Sequence, residues 1–295
     1  ANWGGWDEGS GMGLATSVAR RLLHGTRAMS DGGRNAVRAA ALAIGLPPSA
    51  LVRYDLVPRT YYALPFLLAS LEAKRMGFKG MTIVECGVGA GGGIINLCDL
   101  AALFGREFDL DYRIVGLDSG GGLPDPRDFR DHPEVWRQAQ FVHDKDALRR
   151  RLTPNAKVVY GEVRETSPAV LAEVDADHPI GFVISDLDYY TSTRDALEGL
   201  MRGPAERYLP TVMMYADDVE MLLTFNSWCG EALAFNEFNE KSADRKIERK
   251  PVRVSRAPRG WHRRVYGIHI LDHPARHAIG KNVMGDDREI NVTTY

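Results

Sequence analysis

Three clusters along this chain combine glycine or carboxylate residues at spacings that could do chemistry. The first is Glu85-Cys86-Gly87-Val88-Gly89-Ala90-Gly91-Gly92-Gly93, where Gly87, Gly89 and Gly92 fit G-x-G-x-x-G. Glycines there permit a tight turn and let the backbone approach a ligand closely. The second is Asp118-Ser119, whose carboxylate could accept hydrogen bonds from two ribose hydroxyls. Glu85, two residues before the first glycine, would repel a pyrophosphate but favour a ligand carrying an ammonium and a sulfonium. That electrostatic preference points to S-adenosylmethionine rather than NAD. A dinucleotide site also expects its ribose acid about 20 residues on, whereas Asp118 lies 31 residues beyond Gly87. The bland alternative is that Glu85 and Asp118 only cap turns. The third cluster joins Asp186 to the Asp217-Asp218 pair. Three carboxylates brought together need compensation, and a hard divalent cation is the natural partner. All-oxygen ligation suits Mg²⁺, with Mn²⁺ or Ca²⁺ as substitutes. N-capping by Asp217 and Asp218 is the competing reading.

These groups need elements that bring them to one place. Met81 to Cys86, Tyr112 to Leu117, Lys157 to Tyr160, Ile180 to Ser185 and Leu209 to Tyr215 read as short buried strands. A late apolar run from Val265 to Leu271, with Val265, Tyr266, Ile268 and Ile270, suggests a final one. Between them lie helices from about Gly93 to Phe104, around Asp144 to Leu152, and from a capping-box-like start at Ser192 and Asp195. Strands alternating with helices predict a mostly parallel sheet covered on both faces. Ends of such strands open onto one edge, so Glu85, Asp118, Asp186, Asp217 and Asp218 should converge there. Residues 14 to 77 read as helical, with Ala36 to Leu46 stopped by Gly45 and Pro47-Pro48, and Tyr61 to Arg75 carrying leucines at helical spacing. The expected organisation is a tail and helical extension or lid over 1–78, then a ligand-binding α/β domain over 79–295.

Composition removes other classes. The 295 residues are 44% hydrophobic and 26% charged, with no repeat, which excludes a disordered, collagen-like or coiled-coil chain. No apolar run reaches the about 18 residues that a membrane span needs. A net charge of -2 gives no global case for nucleic acid or membrane. Three cysteines (Cys86, Cys98, Cys229) are too few for a disulfide framework. With no signal-peptide pattern at the start, they lead us to expect a reducing, cytoplasmic setting.

Read in order, the motifs resemble the macrocin O-methyltransferase family. The carriers are Val84-Glu85-Cys86-Gly87-Val88-Gly89, then Asp118-Ser119 followed by Gly122-Leu123-Pro124. Asp186-x-Asp188-x-Tyr190-x-Ser192-Thr193 and Asp217-Asp218 complete the set. The match covers about residues 80 to 220. The resemblance implies a class I methyltransferase (Rossmann-like) α/β fold with a mostly parallel seven-stranded sheet, helices on both faces and a helical N-terminal extension. It also implies S-adenosylmethionine- and Mg²⁺-dependent methylation of sugar hydroxyls. Cofactor contacts would fall to Glu85, Gly87, Gly89, Gly91, Asp118 and Ser119, and metal ligation to Asp186, Asp217 and Asp218. Gly120 and Gly121 stand where the family usually has an aromatic and an acid, and Leu187 and Tyr189 replace a frequent glycine and leucine. With its Gly230-Glu231 and Phe235-Asn236-Glu237-Phe238-Asn239 segment, the chain is more similar to a separate bacterial branch, so the macrolide substrate does not carry over.

The expected mechanism places Asp186 as metal ligand and proton acceptor, with a small, sugar-like hydroxylated molecule as methyl acceptor. His143 and His269 are weaker candidate bases, since a lone histidine is more often structural. Glu231 and Glu237 read as helix-surface charges, with a position facing the acceptor as the alternative. Arg59 reads as either a contact to the cofactor carboxylate or a surface ion pair. Cys86 reads as a small buried residue. Lys241 to Arg264 holds ten Lys or Arg against Asp244 and Glu248; a solvated face is the default, and a phosphorylated or RNA acceptor the alternative, with Trp261 as a stacking candidate. A non-enzymatic cofactor-binding scaffold is the other alternative. A homodimer through the N-terminal helices is the assembly suggested by their apolar faces.

Overall fold

The computed structural model describes residues 31–220, 222–252 and 260–277. The glycine-rich start, the segment 14–30 and Arg253, Arg256 and Arg259 therefore lie outside the described residues. In chain order the helices are α1 (Asp31–Ala43), α2 (Pro48–Arg53), α3 (Thr60–Arg75), α4 (Gly92–Phe108), α5 (Lys145–Arg149), α6 (Val163–Glu173), α7 (Tyr190–Leu200) and α8 (Gly230–Lys241). The strands are β1 (Gly80–Cys86), β2 (Asp111–Asp118), β3 (Ala156–Tyr160), β4 (Ile180–Ser185), β5 (Tyr208–Ala216), β6 (Arg245–Arg249) and β7 (Val265–Ile270).

The strands form one seven-stranded sheet in the order β3-β2-β1-β4-β5-β7-β6, in which β7 runs opposite to the other six. This is a Rossmann-like α/β fold, a mostly parallel seven-stranded sheet with helices on both faces, as the sequence leads one to expect. Every residue of β1 and β4 is buried, as strands covered on both faces require. One face packs beneath α1 to α4, where Phe66 meets Phe104 and Tyr112 edge-on at 5.3 Å and 4.8 Å between ring centroids. The other face packs beneath α6, α7 and α8 through Val170, Leu197, Phe235 and Phe238.

Two elements depart from the sequence reading. β6 reads Arg-Lys-Ile-Glu-Arg and was not expected as a strand; only Arg245 and Ile247 are buried, and the charged remainder suits an exposed sheet edge. α7 begins at Tyr190 rather than at Ser192. Its first turn is capped from a distance, since buried Asp131 accepts the Thr191 amide at 2.9 Å and the Thr191 hydroxyl at 3.1 Å. With that orphan N–H satisfied, the helix starts early and Ser192 lies inside it. α5 follows expectation: the Asp144 side chain accepts the amides of Asp146 and Ala147 at 3.0 and 2.9 Å.

The sheet order reverses between β1 and β4, and the carboxyl ends of both strands meet there. Cys86 pairs with Ser185, and Ser185 pairs with Ala216. A crevice at such a reversal is where open α/β sheets take ligands.

Candidate functional site

The glycine turn leaves β1 and passes directly over the residue that leaves β4. Gly87 has φ +85°, and a Cβ there would lie 1.7 Å from the Asp186 carbonyl oxygen. Only glycine satisfies both the left-handed backbone and that approach. Gly87→Ala is therefore expected to destabilise the protein by about 2 kcal/mol or more, read as a lowered thermal midpoint. Gly89, at φ +49°, has open space where its side chain would be.

Asp118, at the end of β2, is tied to this turn. Its Oδ2 accepts the amides of Val88 and Gly89, each at 2.9 Å, and Oδ1 accepts the Gly120 amide at 2.6 Å. The carboxylate thus joins two loops and keeps a spare lone pair on Oδ1 for a hydroxyl donor. Ser119 works within its own loop, donating to the Gly122 carbonyl at 2.8 Å and accepting the Gly121 amide at 3.1 Å. Glu85 is buried beneath α4, with Oε1 accepting from the Tyr62 hydroxyl at 3.3 Å and Oε2 buried without a partner. Burial first, and the Asp186 charge second, hold its carboxyl well above the usual range.

Asp186, Asp217 and Asp218 come together as the strand ends require. Each offers a carboxylate oxygen, and these atoms all lie within 4.8 Å of one another. The amide of Asp186 is held by the Cys86 carbonyl and that of Asp217 by the Ser185 carbonyl, both at 2.9 Å. Asp217 Oδ1 also accepts from the Tyr215 hydroxyl and the Arg264 guanidinium, each at 3.0 Å. Asp218 is 1% exposed, and its Oδ2 has no hydrogen-bond partner. Burial and the Asp217 charge push Asp186 up to about 7, against the pull of Arg59 and Arg264. Asp188, buried at φ +61°, is raised to about 8 by burial and by the charges of Asp186 and Asp217. Asp218 is held well above its ordinary value by burial and by Glu231. An all-carboxylate set with a buried, unpartnered oxygen fits a hard divalent cation.

Several side chains behave differently from their sequence reading. Glu231 is no helix-surface charge: it is fully buried and bonded to Ser185 and to the Asp218 amide. Burial raises it to about 8, with Asp186 and Asp217 adding to the rise against those two bonds. Glu237 does face outward, accepting from Tyr190 and pairing with Lys241. His269 pairs with Thr211 far down β5 from its carboxyl end, which removes it as a base. His143 lies beside Tyr160 at the end of β3, across the sheet from Asp217. Cys86 is buried, and burial pushes its thiol up, as an inert residue requires. Arg59 lies over Tyr61 and Tyr62, hydrogen-bonds the Tyr61 hydroxyl at 2.9 Å, and reaches Gly92 at the start of α4. Tyr61, Tyr62 and Tyr215 pack as a group beside it, with centroids 5.1 to 5.5 Å apart. The helical leucine pattern gave no sign that these tyrosines adjoin the acids.

The basic segment is largely spent on neighbouring acids. Lys241 pairs with Glu237, Arg245 with Asp272, Arg249 and Arg263 with Glu220, Lys250 with Glu248 and Arg264 with Asp217. Trp261 packs against the core beside α1 to α4, its ring 4.4 Å from that of His262. Among the described residues no helix is long and apolar enough to cross a membrane.

No protein-family model and no curated protein matches this chain. Among solved structures it is similar to CalS11, a calicheamicin methyltransferase, at 21% identity over 87% of this chain and 92% of that one, with a TM-score of 0.49. It is also similar to the O-methyltransferase from Bacillus cereus in complex with SAH, at 15% identity over 85% and 96% of the two chains, with a TM-score of 0.41.

Proposed function

We propose that the chain is an S-adenosylmethionine-dependent O-methyltransferase acting on a small hydroxylated acceptor with the help of a divalent cation, Mg²⁺ foremost. The observation that carries this reading is the meeting of Asp186, Asp217 and Asp218 within 4.8 Å, at the switch point beside a glycine turn and a buried glutamate. Glu85 and Arg59 would meet the ammonium and carboxylate of the donor's amino-acid end, the ammonium drawing the buried Glu85 carboxyl toward its ionised form, and Asp118 would offer its ribose a hydroxyl acceptor. In the reaction, the acceptor oxygen bonds to the methyl carbon as the carbon–sulfur bond breaks, and the electron pair stays on sulfur. The hydroxyl proton passes to a carboxylate, and Asp186, which leaves β4 directly beneath the glycine turn, is the candidate acceptor. A cation held by the three aspartates would supply Lewis-acid lowering of the hydroxyl pKa and a template for its orientation.

A sugar is the acceptor class implied by the likeness of the motifs to the macrocin enzymes. The loops after β2 and β5 add exposed Phe129, Phe141, Leu222, Leu223 and Trp228, which favours an acceptor with an apolar portion.

Calorimetry with S-adenosylmethionine, with and without Mg²⁺, plus a titration with the metal alone, tests the reading. Binding of both is expected. Cofactor binding without any metal binding would leave metal-free transfer or a scaffold, and no cofactor binding by folded protein would remove the glycine-turn reading.

A further inference from the structure

Glu231 stands at the second position of α8 and is wholly shielded from solvent. Glutamate is almost never fully buried unless it is paired; this one turns inward and serves two strand ends at once. Its Oε1 accepts from the Ser185 hydroxyl, and its Oε2 accepts the Asp218 amide at 3.0 Å. Ser185 ends β4 immediately before Asp186, and Asp218 lies two residues beyond β5. The three clustered aspartates are anchored unequally. The amides of Asp186 and Asp217 are held by strand carbonyls, through the ladder that builds the sheet. The Asp218 amide instead depends on a side chain brought from another element, while its own Oδ2 is buried with no partner.

We propose that Glu231 is a positioning residue for the divalent-cation site, bridging Ser185 and the Asp218 amide so that the Asp218 carboxylate faces Asp186 and Asp217. This role rests on the metal reading above. Partners that orient ligands without touching the metal commonly set affinity by about 10–100-fold. The geometry assigns the role to the bridge rather than to the charge. Glutamine can reproduce the bridge, its carbonyl accepting the Asp218 amide and its NH₂ donating to the Ser185 oxygen. Methionine fills a similar volume and offers neither contact.

The test is Mn²⁺ binding, followed by electron paramagnetic resonance, with neither S-adenosylmethionine nor acceptor present. Wild type, Glu231→Gln and Glu231→Met are compared, and metal-free thermal unfolding checks that each is folded. Glu231→Met is expected to weaken Mn²⁺ by about tenfold or more, and Glu231→Gln by less than about threefold. S-adenosylmethionine affinity should be unchanged in both. In turnover, Glu231→Met should raise the Mg²⁺ concentration for half-maximal rate while kcat at saturating Mg²⁺ stays near wild type. Wild-type Mn²⁺ affinity in folded Glu231→Met overturns the positioning role alone. Equal loss in Gln and Met overturns it in favour of a charge effect. No Mn²⁺ binding by wild type overturns the metal reading and this role with it. If Glu231→Met does not fold, Ser185→Ala, which removes half the bridge, is expected to weaken Mn²⁺ about threefold, and unchanged affinity there overturns the role.

Discussion

Asp186→Asn is expected to lower kcat/KM for methyl transfer by at least about 10³-fold while changing the S-adenosylmethionine dissociation constant by less than about fivefold. The substitution keeps shape and removes charge, and the Asp186 amide stays bonded to the Cys86 carbonyl, so the crossing beneath Gly87 survives. What is lost, on the proposed mechanism, is one of three cation ligands and the proton acceptor. The two losses fall on the same reacting oxygen and should not add independently. On the proposed reading the donor's amino-acid end is met instead by Glu85 and Arg59, which accounts for the small expected change in its binding. Initial rates over a range of acceptor and Mg²⁺ concentrations, with calorimetry for the donor, make the comparison. Activity within about tenfold of wild type would remove Asp186 from both roles. A large, equal loss in rate and in donor affinity would instead make it a donor-binding residue.

The legible parts of this site were those that follow from strand ends. A buried apolar run such as Met81 to Cys86 announces a strand covered on both faces, and an acid just past its end must sit at the ligand edge. That reasoning located Asp118, Asp186, Asp217 and Asp218 and the sheet that carries them. It failed where the determinant was a long-range contact. α7 starts at Tyr190 because Asp131, about 60 residues earlier, caps it, and no local signal marks that. Glu231 looked like a surface charge because helix periodicity takes a carboxylate as solvent-facing; its burial is set by Ser185 and the Asp218 amide, which lie on other elements. β6 escaped because an edge strand needs few inward apolar side chains, and its Arg-rich sequence read as part of a basic run. The same run offered a phosphate-binding patch as the alternative to a solvated face, and its pairing with Glu220, Glu237 and Asp217 favours the solvated face.

Without a divalent cation, the protein is expected to lose stability as pH rises from about 4 to about 8, and Mg²⁺ is expected to reverse the loss at the alkaline end. Folding raises Asp186 to about 7, and Asp188 and Glu231 to about 8; in the unfolded chain these carboxyls titrate near 4. Between those limits the folded state binds more protons than the unfolded one. Stability therefore falls with rising pH, by at most about 1.4 kcal/mol per pH unit for each group. The loss is complete once the folded-state groups ionise. A cation held by the aspartates favours their ionised form, so its binding releases protons and tightens as pH rises. Thermal unfolding in chelator and in Mg²⁺, near pH 6 and near pH 8.5, reads both effects. The chelated midpoint should be lower at the higher pH, and the Mg²⁺-induced gain larger there. Glu72, raised to about 7 by its own burial, adds to the slope in chelator but lies under the Thr211 end of β5. Its contribution cancels when the Mg²⁺ and chelator curves are subtracted, which leaves the aspartate cluster as the source of the difference. A Mg²⁺ gain that is the same at both pH values would mean that the cation does not displace protons from these carboxyls, and the cluster would lose its role as the cation site.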